Sequence, residues 1–108
     1  MHGEWGNFME GSFYEKALYH FGIEDRVEKL IEEMAELMVE LKHFKDGKST
    51  KERVREEIAD VAVLINTIAV FFGFSQICGS MMINQLKVFE IIDAECRENV
   101  EGEPDENN

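Results

Sequence analysis

Glu32-Glu33-Met34-Ala35-Glu36 and Glu56-Glu57-Ile58-Ala59-Asp60 are the two segments whose residue types and spacing can do chemistry. In the first, Glu33 and Glu36 are i, i+3 and Glu32 and Glu36 are i, i+4; in the second, Glu57 and Asp60 are i, i+3. On a helix such residues share one side, with Cβ atoms about 5–6 Å apart. Apolar residues interleave with the acids, which places the carboxylates at the edge of a buried face. Asp and Glu are almost never buried there without a partner. Two such clusters facing each other repel unless a divalent cation neutralises them. The expected chemistry is a magnesium site between helices, with hard oxygen ligands and coordination positions left for water and phosphate.

A single Glu-Glu-x-x-Glu is most often a solvated helix surface. The second motif is harder to place there. Asp60 leads directly into Val61-Ala62-Val63-Leu64-Ile65, and Asp is a poor helix former with no capping role at that position. Glu40-x-x-His43 resembles half of a di-iron bundle motif, but the second helix offers Glu-x-x-Asp and no His, so that chemistry is set aside. No Gly-rich phosphate loop, Ser/His/Asp set or Cys/His nucleophile is present.

The elements that must position these acids are helices. The chain has one proline, Pro104, near its C-terminal end, and no strand-length alternation of β-branched and polar residues. Ser12-Phe13-Tyr14-Glu15 fits a capping box opening a short helix to about Phe21, closed by Gly22. Val27, Leu30, Ile31, Met34, Leu37, Met38, Leu41 and Phe44 carry the three-and-four spacing of a helix from about Glu24 to Lys45, with Gly47 as its stop. Ser49-Thr50-Lys51-Glu52 reads as a second capping box, followed by a helix to about Phe72 that ends at Gly73. From Ile58 onward this helix is apolar nearly all round, so it is expected to be central and buried. A third long helix is expected from Gln76 or Met81 to Asn99. Residues 1–22 read as an arm and short helix, 23–99 as the domain, and 100–108 as a disordered acidic tail. Phe8, Phe13, Tyr14, His20 and Phe21 make the N-terminal segment aromatic-rich, suited to closing the core or packing on a nucleobase; Trp5 fits either role.

The 108 residues support one domain, and 44% hydrophobic content is enough for a core. At this size only about two-thirds of the unfolded chain's surface is buried, which makes a further helical interface plausible. The net charge of −12 argues against general binding to DNA, RNA or anionic membrane, though not against nucleotides carried with magnesium. Cys78 and Cys96 show no metal-ligand spacing and read as reduced thiols. The N-terminus has Glu4 and no basic region of a signal peptide, and the longest apolar run, Val61 to Phe74, is broken by Asn66 and Thr67. A bilayer span needs about 20 apolar residues. A cytoplasmic protein is expected.

Glu32-Glu33-x-x-Glu36, then residues 37–56, then Glu57-x-x-Asp60, resembles the signature of the MazG-like all-α nucleotide pyrophosphohydrolases. That superfamily includes the dimeric dUTPases, the dCTP pyrophosphatases and the phosphoribosyl-ATP pyrophosphohydrolases. Phe21-Gly22 before the first long helix, Ala35 and Leu37 around Glu36, and Ala59 and Val61 around Asp60 extend the match over about residues 20–95. Arg26 departs from it, standing where many relatives have glutamine.

The resemblance implies magnesium-dependent attack of water on the α-phosphorus of a nucleoside triphosphate, giving a monophosphate and pyrophosphate, in a nucleotide-pool house-cleaning role. By position it makes Glu33, Glu36, Glu57 and Asp60 the metal ligands, with Mn2+ as a possible substitute, and Glu32 the residue that orients water or takes its proton. Asn84 and Lys87, one turn apart on the third helix, are candidate phosphate or base contacts. Lys48, Lys51, Arg53 and Arg55 form a basic stretch that can steer a triphosphate or simply be solvated. The implied architecture is two long antiparallel helices plus a third, with a four-helix-bundle core completed in a homodimer or tetramer. Two alternatives remain: a metal- or nucleotide-binding protein of the same fold without turnover, and a helical scaffold.

Overall fold

A computed structural model of the chain describes residues 12–102, and every regular element among them is helical: α1 (Phe13–Phe21), α2 (Ile23–Lys45), α3 (Lys51–Phe72) and α4 (Phe74–Gly102). The all-α expectation holds. The chain divides into two compact units, one ending at Phe74 and one beginning at Ser75. Within the first, α3 packs along α2 and also against α1.

Local chemistry explains where these helices start and stop. Ser12 caps α1, its Oγ accepting from the Glu15 N–H at 3.1 Å. Gly22 stands between α1 and α2 at φ 86°, a conformation that costs a residue bearing Cβ but not glycine. Its N–H donates to the Leu18 carbonyl, and its own carbonyl accepts from Arg26. Asp46 closes α2, with Gly47 following at φ 75°. Gly73 ends α3 in the left-handed region at φ 101°, its N–H donating to the Ala69 carbonyl.

Three boundary expectations are corrected. The N-cap of α3 is Thr50 rather than Ser49: Thr50 Oγ1 accepts from the Arg53 N–H at 3.2 Å. The Ser49 hydroxyl is drawn instead to a carboxylate oxygen of Glu40 on α2. The last helix starts at Phe74, ahead of both expected starts, and runs through Gly79 and Ser80 without a break. One interior glycine costs about 1 kcal/mol, which a long helix absorbs. The helix also continues to Gly102, so residues 100–102, read as the start of the tail, are helical. Residues 1–11, with Trp5 and Phe8, and residues 103–108 lie outside the described part.

Leu30 of α2 and Val61 and Leu64 of α3 form the core, with Leu37 and Ile68 packed against it. Fully burying such a side chain contributes about 1.5–3 kcal/mol. Residues 46–50 are too short a link for anything but an antiparallel pair. The contacts agree, since core residue Leu30 lies toward the Val61–Leu64 level and Glu33 toward the Glu57–Asp60 level. The polar break in the apolar run is satisfied: the Thr67 hydroxyl, in a residue 1% exposed, donates to the Val63 carbonyl at 2.7 Å. Asn66 Nδ2 donates to the Tyr14 hydroxyl at 3.3 Å and ties α3 to α1.

Burial is narrower than the composition of α3 suggests. Val61, Leu64, Thr67 and Ala69 are buried, but Ile58, Val63, Ile65, Phe71 and Phe72 are exposed. The helix is central to its unit without being covered on all sides, because α1 and α2 occupy only part of its circumference. Among the described aromatic residues of the N-terminal segment, Tyr14 is half-buried, while Phe13, His20 and Phe21 are exposed. A nine-residue helix lays one narrow stripe on its neighbour. Among the described residues no single helix is long and apolar enough to cross a membrane. Cys78 is half-buried and Cys96 exposed, both as free thiols.

Candidate metal centre

The antiparallel pairing of α2 and α3 brings the two acidic motifs together. Glu33, Glu57 and Asp60 each offer a carboxylate oxygen such that the three atoms lie within 4.8 Å of one another. Glu32, Glu33 and Glu36 form a second group at the same spacing. Glu33 belongs to both and is the hinge of the constellation. It is the most buried of the five acids, its side chain 12% exposed. The core beneath it explains this: Leu30 lies one turn before Glu33 on α2, and Val61 follows Asp60 on α3. Glu57 is half-buried, while Glu32, Glu36 and Asp60 face solvent. The four expected ligands thus meet as two overlapping triads, with Glu36 in one and Glu57 and Asp60 in the other.

The electrostatics are those of carboxylates crowded beyond their comfort. Burial first, and then the charges of Glu33, Asp60, Glu40 and Glu56, push the Glu57 carboxyl above its ordinary value. Glu36 is also raised, chiefly by a hydrogen bond shared with Glu33 and by the Glu33 charge, with further contributions from burial, Glu57 and Glu32. One oxygen of Glu57, Oε2, is buried and has no hydrogen-bond partner. A buried carboxylate oxygen left without a donor is costly. The donor set is all hard oxygen, the type magnesium and manganese select. The orphaned oxygen and the closely spaced acids together fit a divalent cation.

Beside these acids is an open cavity of about 360 Å³ lined by Ala35, Glu36, Val39, Glu40 and Glu57. It is acidic on one side and small and apolar on the other. An anionic ligand can enter such a space only with a cation between it and the carboxylates.

Two contributors escape a motif reading. Lys29 Nζ lies 3.3 Å from Glu33 Oε1 and 3.7 Å from Glu32 Oε1. A hydrogen bond to Glu33 and the charges of Glu32, Glu33 and Glu36 raise its pKa. The available signal was its spacing, i+3 and i+4 from the two glutamates. Glu40 lines the cavity, accepts from Ser49 and adds charge against Glu57.

The remaining candidates lie apart from the acid cluster in the chain. Asn84 and Lys87 are exposed on α4 in the second unit, whereas all five acids belong to the first. Lys48, Lys51, Arg53 and Arg55 are exposed around the start of α3. Arg26 is engaged at the start of α2, 2.6 Å from Asp25 and 3.9 Å above the Phe21 ring. No protein-family model, curated protein or solved structure matches this chain.

Proposed function

We propose that the chain is a magnesium-dependent nucleoside triphosphate pyrophosphohydrolase of MazG-like type. The observation that carries this reading is the unpartnered, buried Oε2 of Glu57 beside the Glu33–Asp60 carboxylates, a donor set arranged for a cation. The resemblance of the spaced acidic motifs supplies the reaction class.

Glu33, Glu57 and Asp60 would hold the ion, with Glu36 adding its oxygen from the neighbouring turn. Bound magnesium neutralises phosphate charge and lowers the pKa of water. The chain's own residues position the reactants. Glu36, Glu40 and Glu57 line the cavity beside the ligand positions and would orient a cation-bound triphosphate there, with Ala35 and Val39 along its apolar side. Glu32, exposed one turn before Glu36, would orient the attacking water or take its proton. The water oxygen bonds to the α-phosphorus, the α–β bridging P–O bond breaks, and pyrophosphate leaves with the bond's electron pair. Such a reaction depends on positioning and charge neutralisation more than on covalent chemistry. Lys87 and Asn84 are the proposed phosphate or base contacts, and the active form is a homodimer or tetramer. Exposed Met82, Leu86 and Phe89 on α4, each 63–65% accessible, favour that assembly.

Those exposed residues also support a second reading, a helical scaffold or non-catalytic binding protein of the same fold. Pyrophosphate release from a panel of NTPs and dNTPs, with magnesium and with EDTA, separates the readings. Turnover that requires magnesium and falls at least 100-fold in Glu57→Gln supports the enzyme. No release on any nucleotide overturns it.

A further inference from the structure

We propose that Lys29 is a built-in competitor of the metal: its ammonium occupies the Glu33 carboxylate in the metal-free protein and must leave for a divalent cation to bind. The inference rests on the metal reading above and concerns what sets the affinity of that site. Lys29 Nζ lies 3.3 Å from Oε1 of Glu33, the residue shared by both acidic triads. It also lies 3.7 Å from Glu32. The ammonium thus spans two acids of one triad and touches the hinge of both.

Three features mark this as a displaceable contact rather than a structural ion pair. Lys precedes Glu on the helix, the weaker orientation for an i, i+4 pair. The lysine side chain is 44% exposed, so it can swing into water. A lysine ammonium is also a single point charge on a flexible stem, unlike the planar fork of arginine. Its charge is too small for the site it serves: one positive charge faces Glu32, Glu33 and Glu36, and leaves Glu57 Oε2 unpartnered. A divalent cation answers both deficits. Lys29 keeps the acids together until it arrives, and weakens its binding by the work of displacement.

Calorimetric titration with Mn2+ and Mg2+ of the full chain, as wild type, Lys29→Met and Lys29→Arg, tests this. Circular dichroism and metal-free melting temperatures accompany each titration. Lys29→Met should bind Mn2+ about three- to tenfold more tightly than wild type and melt lower without metal. Lys29→Arg keeps the charge but grips the carboxylate with a fork, so it should bind Mn2+ more weakly than wild type. A through-space charge effect alone would leave Lys29→Arg equal to wild type, and that result overturns the competitor role. So does weaker binding by a folded Lys29→Met, which would make Lys29 a support for the ligands. Absence of Mn2+ binding in wild type and both variants removes the metal reading itself, and the inference with it.

Discussion

The two units of this molecule treat their apolar residues differently. In the first, Leu30, Val61 and Leu64 are 6–7% exposed and form a common core between α2 and α3. In the second, α4 is a helix of 29 residues on which Met82, Ile83, Leu86, Phe89 and Ile92 are 53–65% exposed. The acidic constellation sits directly on the core of the first unit. That is what a metal site requires, because carboxylates held at a few ångströms' spacing against their own repulsion need a rigid base. Among the described residues of the second unit no apolar side chain is fully buried, and an exposed apolar stripe of this kind gains stability by being covered. Position in the first unit is set by packing within the chain; the α4 side chains named above have no such cover.

The largest effect is expected at the core. Leu64→Ala should lower the unfolding free energy by about 2–4 kcal/mol in urea titration. Leu86→Ala on α4 should change it by less than about 0.5 kcal/mol at submicromolar concentration and by more as concentration rises and assembly begins. Equal effects at all concentrations would erase the contrast.

A second test sharpens the account of the acids. The folded-state pKa of Glu57 is raised above its unfolded value, so its ionisation destabilises the folded protein. That penalty is absent below the ordinary carboxylate value of about 4.3 and complete above the raised one. Glu57→Gln should therefore melt higher than wild type at pH 7–8 without metal, and the gain should vanish toward pH 4. Excess magnesium should stabilise wild type and leave the variant unchanged.

The smallest effect distinguishes two adjacent hydroxyls. Thr50→Ala removes the α3 cap and should cost about 1 kcal/mol. Ser49→Ala should cost less in stability but loosen the link to Glu40, read as a change in metal affinity.

Much of this arrangement was legible in the chain. The three-and-four spacing from Val27 to Phe44 and the glycines at 22, 47 and 73 mark α2 and α3 to within a residue or two at each end. Helical offsets fix that Glu33 and Glu36 share one side of α2 and that Glu57 and Asp60 share one side of α3; the meeting of Glu33 with the other pair follows from the packing of the two helices. The rest depends on tertiary contacts. Ser49 matches a capping pattern, yet Glu40, nine positions earlier, claims its hydroxyl and leaves the cap to Thr50. The exposure of Ile58, Val63 and Ile65 follows from how much of α3 two neighbours can cover, which apolar content alone does not state. Lys29 is no ligand type, and which acid its charge balances is set by the rotamer that carries Nζ to Glu33 and Glu32.

In the proposed site one divalent cation binds where α2 and α3 present Glu33, Glu57 and Asp60. Paramagnetic broadening of backbone amides by substoichiometric Mn2+ tests it most directly. Amides at 32–36 and 56–60 should broaden first and together, and magnesium should restore them. Broadening spread evenly over the acidic residues of the chain, or confined to one of the two segments, would contradict it.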